Sequence, residues 1–135
     1  MTFLSWTKEQ FGTNVNVTDD QHQTLFSMLN DLHGVVEEGD RNTVGKKLDA
    51  LIDFVVMHFK TEEDLMQAND YPHFVDHKAE HDKMVQTCAG VQKKFHAGEL
   101  DITADATNFV RDWLCSHIPS IDKNYGPFLN GKGVA

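Results

Sequence analysis

The sequence predicts an all-α protein, an antiparallel up-down-up-down four-helix bundle with an irregular N-terminal arm. Four stretches carry apolar residues at steps of three and four, which is the spacing of one face of an α-helix. Short polar segments separate these stretches, and short connections place consecutive helices side by side in opposite directions. No stretch alternates apolar and polar residues as a half-buried strand does.

The first two helices follow an arm, residues 1–17, that contains helix breakers and is expected to be irregular. Thr18 and Gln21 have the spacing of a capping box, which predicts that the first helix begins there. Its stripe is His22, Leu25, Leu29, Leu32 and Val36. A turn at 37–42 leads to a second helix over about 43–68. Its stripe is Leu48, Leu51, Val55, His58, Glu62 and Leu65.

The third and fourth helices are indicated by the same spacing. After a turn at 69–72, Pro72 fits the first position of a new helix. The third stripe is Phe74, His77, His81, Met84, Cys88, Val91 and Phe95. A turn at 96–101 precedes the fourth helix. The fourth stripe is Ala106, Val110, Trp113 and His117. Pro119 has no N–H to donate to the preceding turn, so the helix is expected to end or kink there.

Composition disfavours nucleic acid and anionic membranes as partners. The length of 135 residues suits one domain over residues 1–135, and 12 basic against 21 acidic residues give a formal charge of −9. No signal peptide or membrane-spanning stretch is visible, so no membrane insertion is expected. Two cysteines, Cys88 and Cys115, make no disulfide framework, which favours the cytoplasm. The negative charge also favours a monomer.

Polar side chains interrupt the apolar stripes. They are His22, His58, Glu62, His77, His81 and His117. A buried imidazole or carboxylate has to be paired or bound to a metal, because an unpaired polar group in an apolar interior costs roughly 2–7 kcal/mol. In an antiparallel bundle with a rise of about 1.5 Å per residue, these positions share one end of the core. They therefore predict a metal site to which all four helices contribute.

The ligand types indicate two metal ions. One ion cannot use five imidazoles and a carboxylate and keep an open coordination position, whereas two ions can share them through a bridging carboxylate. Asp122 is expected to be a second bridging carboxylate, redirected by the break at Pro119. Mixed imidazole and carboxylate donors inside a helix bundle favour iron. His73 continues the row of His77 and His81, but its place at the rim of the bundle argues against a ligand role.

These motifs together resemble those of hemerythrin, and specifically of the single-domain bacterial hemerythrins. The ligand motifs are H (22), H-F-x-x-E (58–62), H-x-x-x-H (77–81) and H-I-x-x-x-D (117–122). The similarity also includes Trp6, DQHQTLF at 20–26, YP at 71–72 and IDKNYGPFL at 121–129. It covers nearly the whole chain, and no ligand position departs from the pattern.

The resemblance implies a non-haem di-iron site that binds O2 reversibly. The residues implied for one iron are His77, His81 and His117. Those implied for the other iron, which keeps an open position for O2, are His22 and His58. Glu62, Asp122 and an oxo or hydroxo group would bridge the two Fe ions, which would change between Fe2+ and Fe3+. The apolar residues expected to line the O2 pocket are Leu25, Phe59, Trp113, Leu114 and Ile118.

Three functional hypotheses follow from such a site. The leading one is an oxygen carrier, store or local supplier in the cytoplasm, which would hand O2 to an O2-consuming client protein. The alternatives are an O2 or redox sensor and a di-iron peroxidase or NO-handling enzyme. The sequence shows no fused output domain, which disfavours the sensor. It also has no E-x-x-H pair of the kind that ferritin-like di-iron proteins use, which disfavours the enzyme.

Overall fold

The structure, a computed structural model that describes residues 3–135, consists of helices connected by short turns. The elements are α1 (Lys8–Phe11), α2 (Asn16–Val35), α3 (Arg41–Ala68), α4 (Phe74–His96), α5 (Ala104–His117), a π-helical turn (Ile118–Asp122) and α6 (Lys123–Gly131). Helices α2 to α5 form a bundle in which α3 packs against α2 and α4, and α2 also packs against α5. The predicted four-helix bundle is confirmed. Within residues 3–135, no helix combines the length and apolar character that crossing a membrane requires.

The start of α2 differs from the prediction. The arm contains the short helix α1, and α2 begins at Asn16, before the expected capping box. Thr18 is fully buried, with its hydroxyl 3.0 Å from that of Thr13. Asp19 Oδ1 accepts hydrogen bonds from the backbone N–H and the hydroxyl of Thr13, at 2.8 and 2.7 Å. The predicted capping box was therefore wrong. The hydrogen bonds among these buried side chains, rather than a Thr18–Gln21 pair, determine how the chain enters α2.

The connection between α3 and α4 is a tight turn close to the predicted position. Asp40 begins α3 by accepting a hydrogen bond from the Thr43 N–H at 2.7 Å. After α3, Asp70 adopts a φ of 57°, the left-handed conformation that commonly ends helices. Pro72 lies in the turn, and α4 begins at Phe74, so the predicted helix start at Pro72 was two residues early.

Pro119 widens the helix and does not end it. The backbone passes from α5 into the π-helical turn, where the Lys123 N–H donates to the Ile118 carbonyl five residues back. The chain then continues as α6 to Gly131. The predicted end or kink is therefore a local change of helical pitch, and α6 contacts α3.

Two apolar clusters lie on either side of the predicted metal ligands. The larger cluster fills the bundle and includes Leu25 and Phe59. The smaller cluster consists of Val15, Met66, Tyr71, Tyr125 and Leu129. Along α2, His22 lies between Val15 and Leu25, and along α3, Glu62 lies between Phe59 and Met66. The polar layer is therefore enclosed between two apolar layers.

Candidate metal centre

The seven predicted ligands converge at one end of the bundle, and none of them is more than 5% exposed. Their donor atoms form two groups, and the atoms of each group lie within 4.8 Å of one another. The three-histidine group is His77, His81, His117 and Asp122. The two-histidine group is His22, His58, Glu62 and Asp122. His73 is exposed and belongs to neither group.

Local helix geometry positions these side chains. The pairs in α3 and α4 are four residues apart, which places both members on one helical face. His117 and Asp122 are five residues apart, a spacing that an α-helix would turn to different faces. In the π-helical turn the backbone hydrogen bonds span five residues, so positions five apart become neighbours. Asp122 Oδ1 lies 2.8 Å from His117 Nε2 as a result.

Each carboxylate contacts both groups. Asp122 approaches the three-histidine group through Oδ1, whereas its Oδ2 lies 3.1 Å from His22 Nε2. Glu62 Oε1 lies 3.2 Å from His58 Nε2 and 3.3 Å from His81 Nε2. A carboxylate that bridges two metal ions needs this position between two sets of imidazoles.

Buried donor atoms without ordinary partners show that the residues fit metal ions. Among the described residues, six donor atoms of the two groups are buried and, despite their short contacts with one another, are not aligned for hydrogen bonds. They are the Nε2 atoms of His22, His77, His81 and His117, with Glu62 Oε1 and Asp122 Oδ1. Unpaired buried polar atoms are rare because each is costly. A pair of cations shared by these atoms would remove that cost, and imidazole with carboxylate is a donor set that suits iron.

Without metal, two carboxylates hold a proton on the His22 imidazole. Burial lowers the pKa of His22, but Asp122 and Glu62 outweigh burial and raise it to about 10. Burial likewise opposes ionisation of Glu62, yet His58 and its neighbours hold the pKa of this carboxyl well below its usual range. Neighbouring imidazoles lower the pKa of Asp122 in the same way. Metal binding therefore has to displace the proton of His22.

A buried phenol contacts one of the shared carboxylates. The Tyr125 hydroxyl donates a hydrogen bond of 2.6 Å to Glu62 Oε2. Burial and the charge of Glu62 raise the pKa of Tyr125 well above its ordinary value, so the phenol keeps its proton. Tyr125 therefore fixes the orientation of Glu62 from the α6 side.

Sequence analysis missed three residues that contact the ligands: Gln21, Glu63 and Tyr125. Gln21 Oε1 lies 2.7 Å from His58 Nδ1, and Glu63 Oε2 lies 2.8 Å from His81 Nδ1. Each of the three is a polar residue within three positions of a predicted ligand. Because metal-binding imidazoles usually have a hydrogen-bond partner on the other nitrogen, polar neighbours of the ligands are the signal that could have found Gln21 and Glu63.

Apolar side chains cover the bundle side of the donor atoms. The residues predicted to line a pocket are Leu25, Phe59, Trp113, Leu114 and Ile118. Four of them are buried in the larger apolar cluster, and Trp113 packs against it. The Phe59 ring stacks on His81 with centroids 3.8 Å apart, and the Trp113 ring stacks on His117 at 4.2 Å. These two rings cover the three-histidine group.

The fold and the site define the class of protein as a four-helix bundle with a buried dinuclear metal centre of imidazoles and carboxylates. Comparison with known proteins identifies the class further. Residues 13–129 match the family described as Hemerythrin HHE cation binding domain. The chain belongs to the hemerythrin family, which confirms the resemblance seen in the sequence.

Relatives match over almost the whole chain. The protein is 58% identical over 130 residues to Bacteriohemerythrin of Methylococcus capsulatus, covering 96% of this chain and 99% of that one. It is 33% identical over 125 residues to Bacteriohemerythrin of Stenotrophomonas maltophilia, covering 93% of this chain and 80% of that one. A crystal structure of wild-type hemerythrin, 58% identical, superposes with a TM-score of 0.93 and covers 94% of this chain and 98% of that chain.

Proposed function

We propose that this protein binds O2 reversibly at two iron ions and acts as an oxygen carrier, store or local supplier. The observation that carries the proposal is the pair of buried donor groups that share carboxylates, with three imidazoles in one and two in the other. The unequal numbers leave the ion of the two-histidine group one protein ligand short. That open position is where O2 would bind. Membership of the hemerythrin family supports the same function.

The proposed ligand assignment follows the two groups. His77, His81 and His117 would hold one iron. His22 and His58 would hold the other. Glu62 and Asp122 would bridge the pair because each contacts imidazoles of both groups. Bound at these positions, the iron ions supply the electrons and the open coordination position that reversible O2 binding requires.

The surrounding residues favour release of O2 over its reduction. Water and protons promote the departure of O2 from the metal centre in a reduced form. The site lies between two apolar clusters, which exclude both. Tyr125 holds Glu62 in place through a buried hydrogen bond. Five imidazoles and two carboxylates also donate less negative charge to iron than carboxylate-rich sites do, so the iron is less able to reach the high oxidation states of oxidases. These features support a binding protein and not an enzyme.

The proposal includes a cytoplasmic location and an O2-consuming client. The unpaired thiols of Cys88 and Cys115 support a reducing compartment. Burial raises the pKa of Cys88 to about 11, so this thiol stays protonated and unreactive. The protein would deliver O2 to a separate enzyme by releasing it into solution or at close range.

The decisive experiment is a visible absorption spectrum of the reduced, iron-loaded protein, cycled between O2 and argon. A charge-transfer band that appears with O2 and disappears under argon over many cycles is expected. A band that forms once and decays to a stable oxidised spectrum would contradict reversible binding. Assays with peroxide, NO and reductants on the same sample would then identify an enzyme, and steady turnover would replace the carrier proposal.

A further inference from the structure

Two of the ligand imidazoles have outer hydrogen-bond partners that differ in charge. His58 Nδ1 lies 2.7 Å from the amide oxygen of Gln21. His81 Nδ1 lies 2.8 Å from the carboxylate oxygen of Glu63. Both rings are almost fully buried, and both partners accept the hydrogen bond. Each Nδ1 therefore carries the proton, which leaves each Nε2 free to face the metal position.

The orientation of Gln21 is fixed by its other contacts. Its amide Nε2 donates to Thr61 Oγ1 at 3.2 Å and to Met57 Sδ at 3.6 Å. The Thr61 hydroxyl itself donates to the Met57 carbonyl, so it has lone pairs left for the amide. The oxygen of Gln21, and not its nitrogen, is therefore directed at His58. This ligand receives a neutral acceptor.

Glu63 gives its ligand a charged acceptor. Its side chain is only 18% exposed, and its second oxygen is 3.9 Å from Lys78 Nζ. Lys78 makes a closer contact of 2.9 Å with Asp82, so it neutralises Glu63 only in part. Hydrogen bonds to ionised acceptors are roughly twice as strong as neutral ones. A charged acceptor on Nδ1 also increases the electron donation of Nε2 to a metal.

The two partners belong to different metal positions. Glu63 supports the three-histidine group through His81, whereas Gln21 supports the two-histidine group through His58. The other imidazole of the two-histidine group, His22, has no hydrogen-bond partner for its Nδ1 among residues 3–135. The charge of Glu63 therefore adds to the difference between the two metal positions that the number of imidazoles already sets.

We propose that Glu63 and Gln21 are positioning residues that make the two metal positions unequal, so that the three-histidine position binds metal more tightly and has the lower reduction potential. Because of this difference, a metal ion at the three-histidine position, which has no open coordination position, would be the more easily oxidised of the two. It keeps the position next to Gln21 electron-poor, which favours weak and reversible ligand binding there. This inference rests on the proposed di-iron function and deepens it.

The test compares variants that change charge and hydrogen bonding separately. Glu63→Gln keeps an acceptor for His81 and removes the charge, Glu63→Leu removes both, and Gln21→Glu adds a charge at the other position. Asp64→Asn is the matched control, because Asp64 is an exposed neighbour that pairs with Lys60 and contacts no ligand. The apo-protein is titrated with Co2+ in competition with a chelator, which gives two affinities without any redox step. Spectroelectrochemistry of the iron-loaded protein then gives the potentials.

The expected results are specific in direction. Glu63→Gln should weaken the tighter Co2+ site about tenfold. It should also raise the lower potential, by about 59 mV for each tenfold by which the loss of Fe3+ affinity exceeds the loss of Fe2+ affinity. Glu63→Leu should weaken the tighter site further. Gln21→Glu should strengthen the weaker site and bring the two affinities closer, while Asp64→Asn leaves both unchanged. A Glu63→Gln protein that behaves like Asp64→Asn, with a loss of affinity only in Glu63→Leu, would overturn the role of charge.

The outcomes also separate this inference from the proposed function. Because Co2+ titration does not involve O2, a gap between the affinities that closes in Gln21→Glu would support the inference even if O2 binding proved irreversible. Reversible O2 binding with two equal Co2+ affinities would retain the carrier function and overturn the inference. Gln21→Glu also provides the opposite change of charge should the Glu63 variants fold poorly.

Discussion

At the scale of single residues, Tyr125 is the clearest case of a side chain that supports a ligand. Tyr125→Phe removes the donor to Glu62 and leaves a buried carboxylate oxygen without it. We expect a loss of about 1–3 kcal/mol in the free energy of unfolding of the apo-protein, since a buried polar group that loses its hydrogen-bond partner costs that much. Urea denaturation measures the loss.

Tyr71 provides the control for this variant. It is also buried in the smaller apolar cluster, but its hydroxyl makes no hydrogen bond within the described part of the chain. Tyr71→Phe should change the free energy of unfolding by much less than Tyr125→Phe. Equal effects of the two variants would show that the loss reflects packing of the phenol and not its contact with Glu62.

Leu114 belongs to the same scale, since it lies one helical turn from His117 and is 3% exposed. Leu114→Ala should admit water to the metal centre and speed autoxidation severalfold, with the fold retained. The spectrum of the oxygenated protein, followed over hours, measures the rate. Leu48→Ala is the control, because Leu48 is similarly buried in the other half of the bundle. The same acceleration in both variants would rule out a specific gate at Leu114.

The sequence predicts the ligands better than it predicts their supporting residues. The seven ligands are conspicuous because polar side chains at buried helical positions require an explanation. Gln21 and Glu63 are less conspicuous, since Gln and Glu are common on helix surfaces. Which of them reaches an imidazole depends on the distance between neighbouring helices, and a single sequence does not contain that distance.

At the scale of elements, α6 is held against the N-terminal arm by close backbone contact. A Cβ atom added at Gly126 would lie 2.1 Å from the carbonyl oxygen of Thr13. Gly126→Ala should therefore lower the free energy of unfolding by about 1–3 kcal/mol or more, the usual cost of overpacking. Thermal and urea denaturation of the metal-loaded protein measure this.

Gly131 in the same helix is the matched control for Gly126. No side-chain or distant backbone atom lies within 4 Å of a Cβ added there. Gly131→Ala should change the stability by less than about 1 kcal/mol, because alanine favours helix and meets no obstacle. A tolerated Gly126→Ala would show that α6 moves away from the arm at little cost.

Some secondary-structure elements follow from the spacing of apolar residues in the sequence, and others do not. Helical spacing predicts α2 to α5 because each buries a long apolar stripe. The π-helical turn is beyond such rules, since Pro119 only removes a hydrogen bond and does not specify how the backbone responds. In the structure the backbone responds with a π-helical turn, which places Asp122 between the two donor groups. The start of α2 at Asn16 likewise depends on the buried contact of Thr13 with Asp19.

At the scale of the whole molecule, the enclosed charges make the stability of the apo-protein depend on pH. His22 has a pKa raised to about 10 from an ordinary 6.5, so its contribution is present below pH 6.5 and is lost as pH rises toward 10. The pKa values of Glu62 and Asp122 are lowered, so their contribution is lost as pH falls below the ordinary carboxyl range. Stability should be highest between about pH 4.5 and 6.5.

Above pH 6.5 the free energy of unfolding of the apo-protein should decrease by roughly 1 kcal/mol per pH unit, the effect of one proton. Urea denaturation at pH 5.5, 7.5 and 9 measures this slope. His22→Gln should abolish it, because that variant has no proton to lose. A constant stability of the wild-type apo-protein across this range would contradict the proton held by the carboxylates.

The positions of the donors along the chain also determine when the protein can acquire its metal. The first donor is His22 and the last is Asp122, and the latter contributes to both groups. During synthesis, a nascent chain that ends before Asp122 contains neither complete donor group. A complete donor group therefore forms only after almost all of the bundle has been translated. Metal bound by a complete donor group therefore indicates that synthesis has passed the π-helical turn and that the helices have assembled.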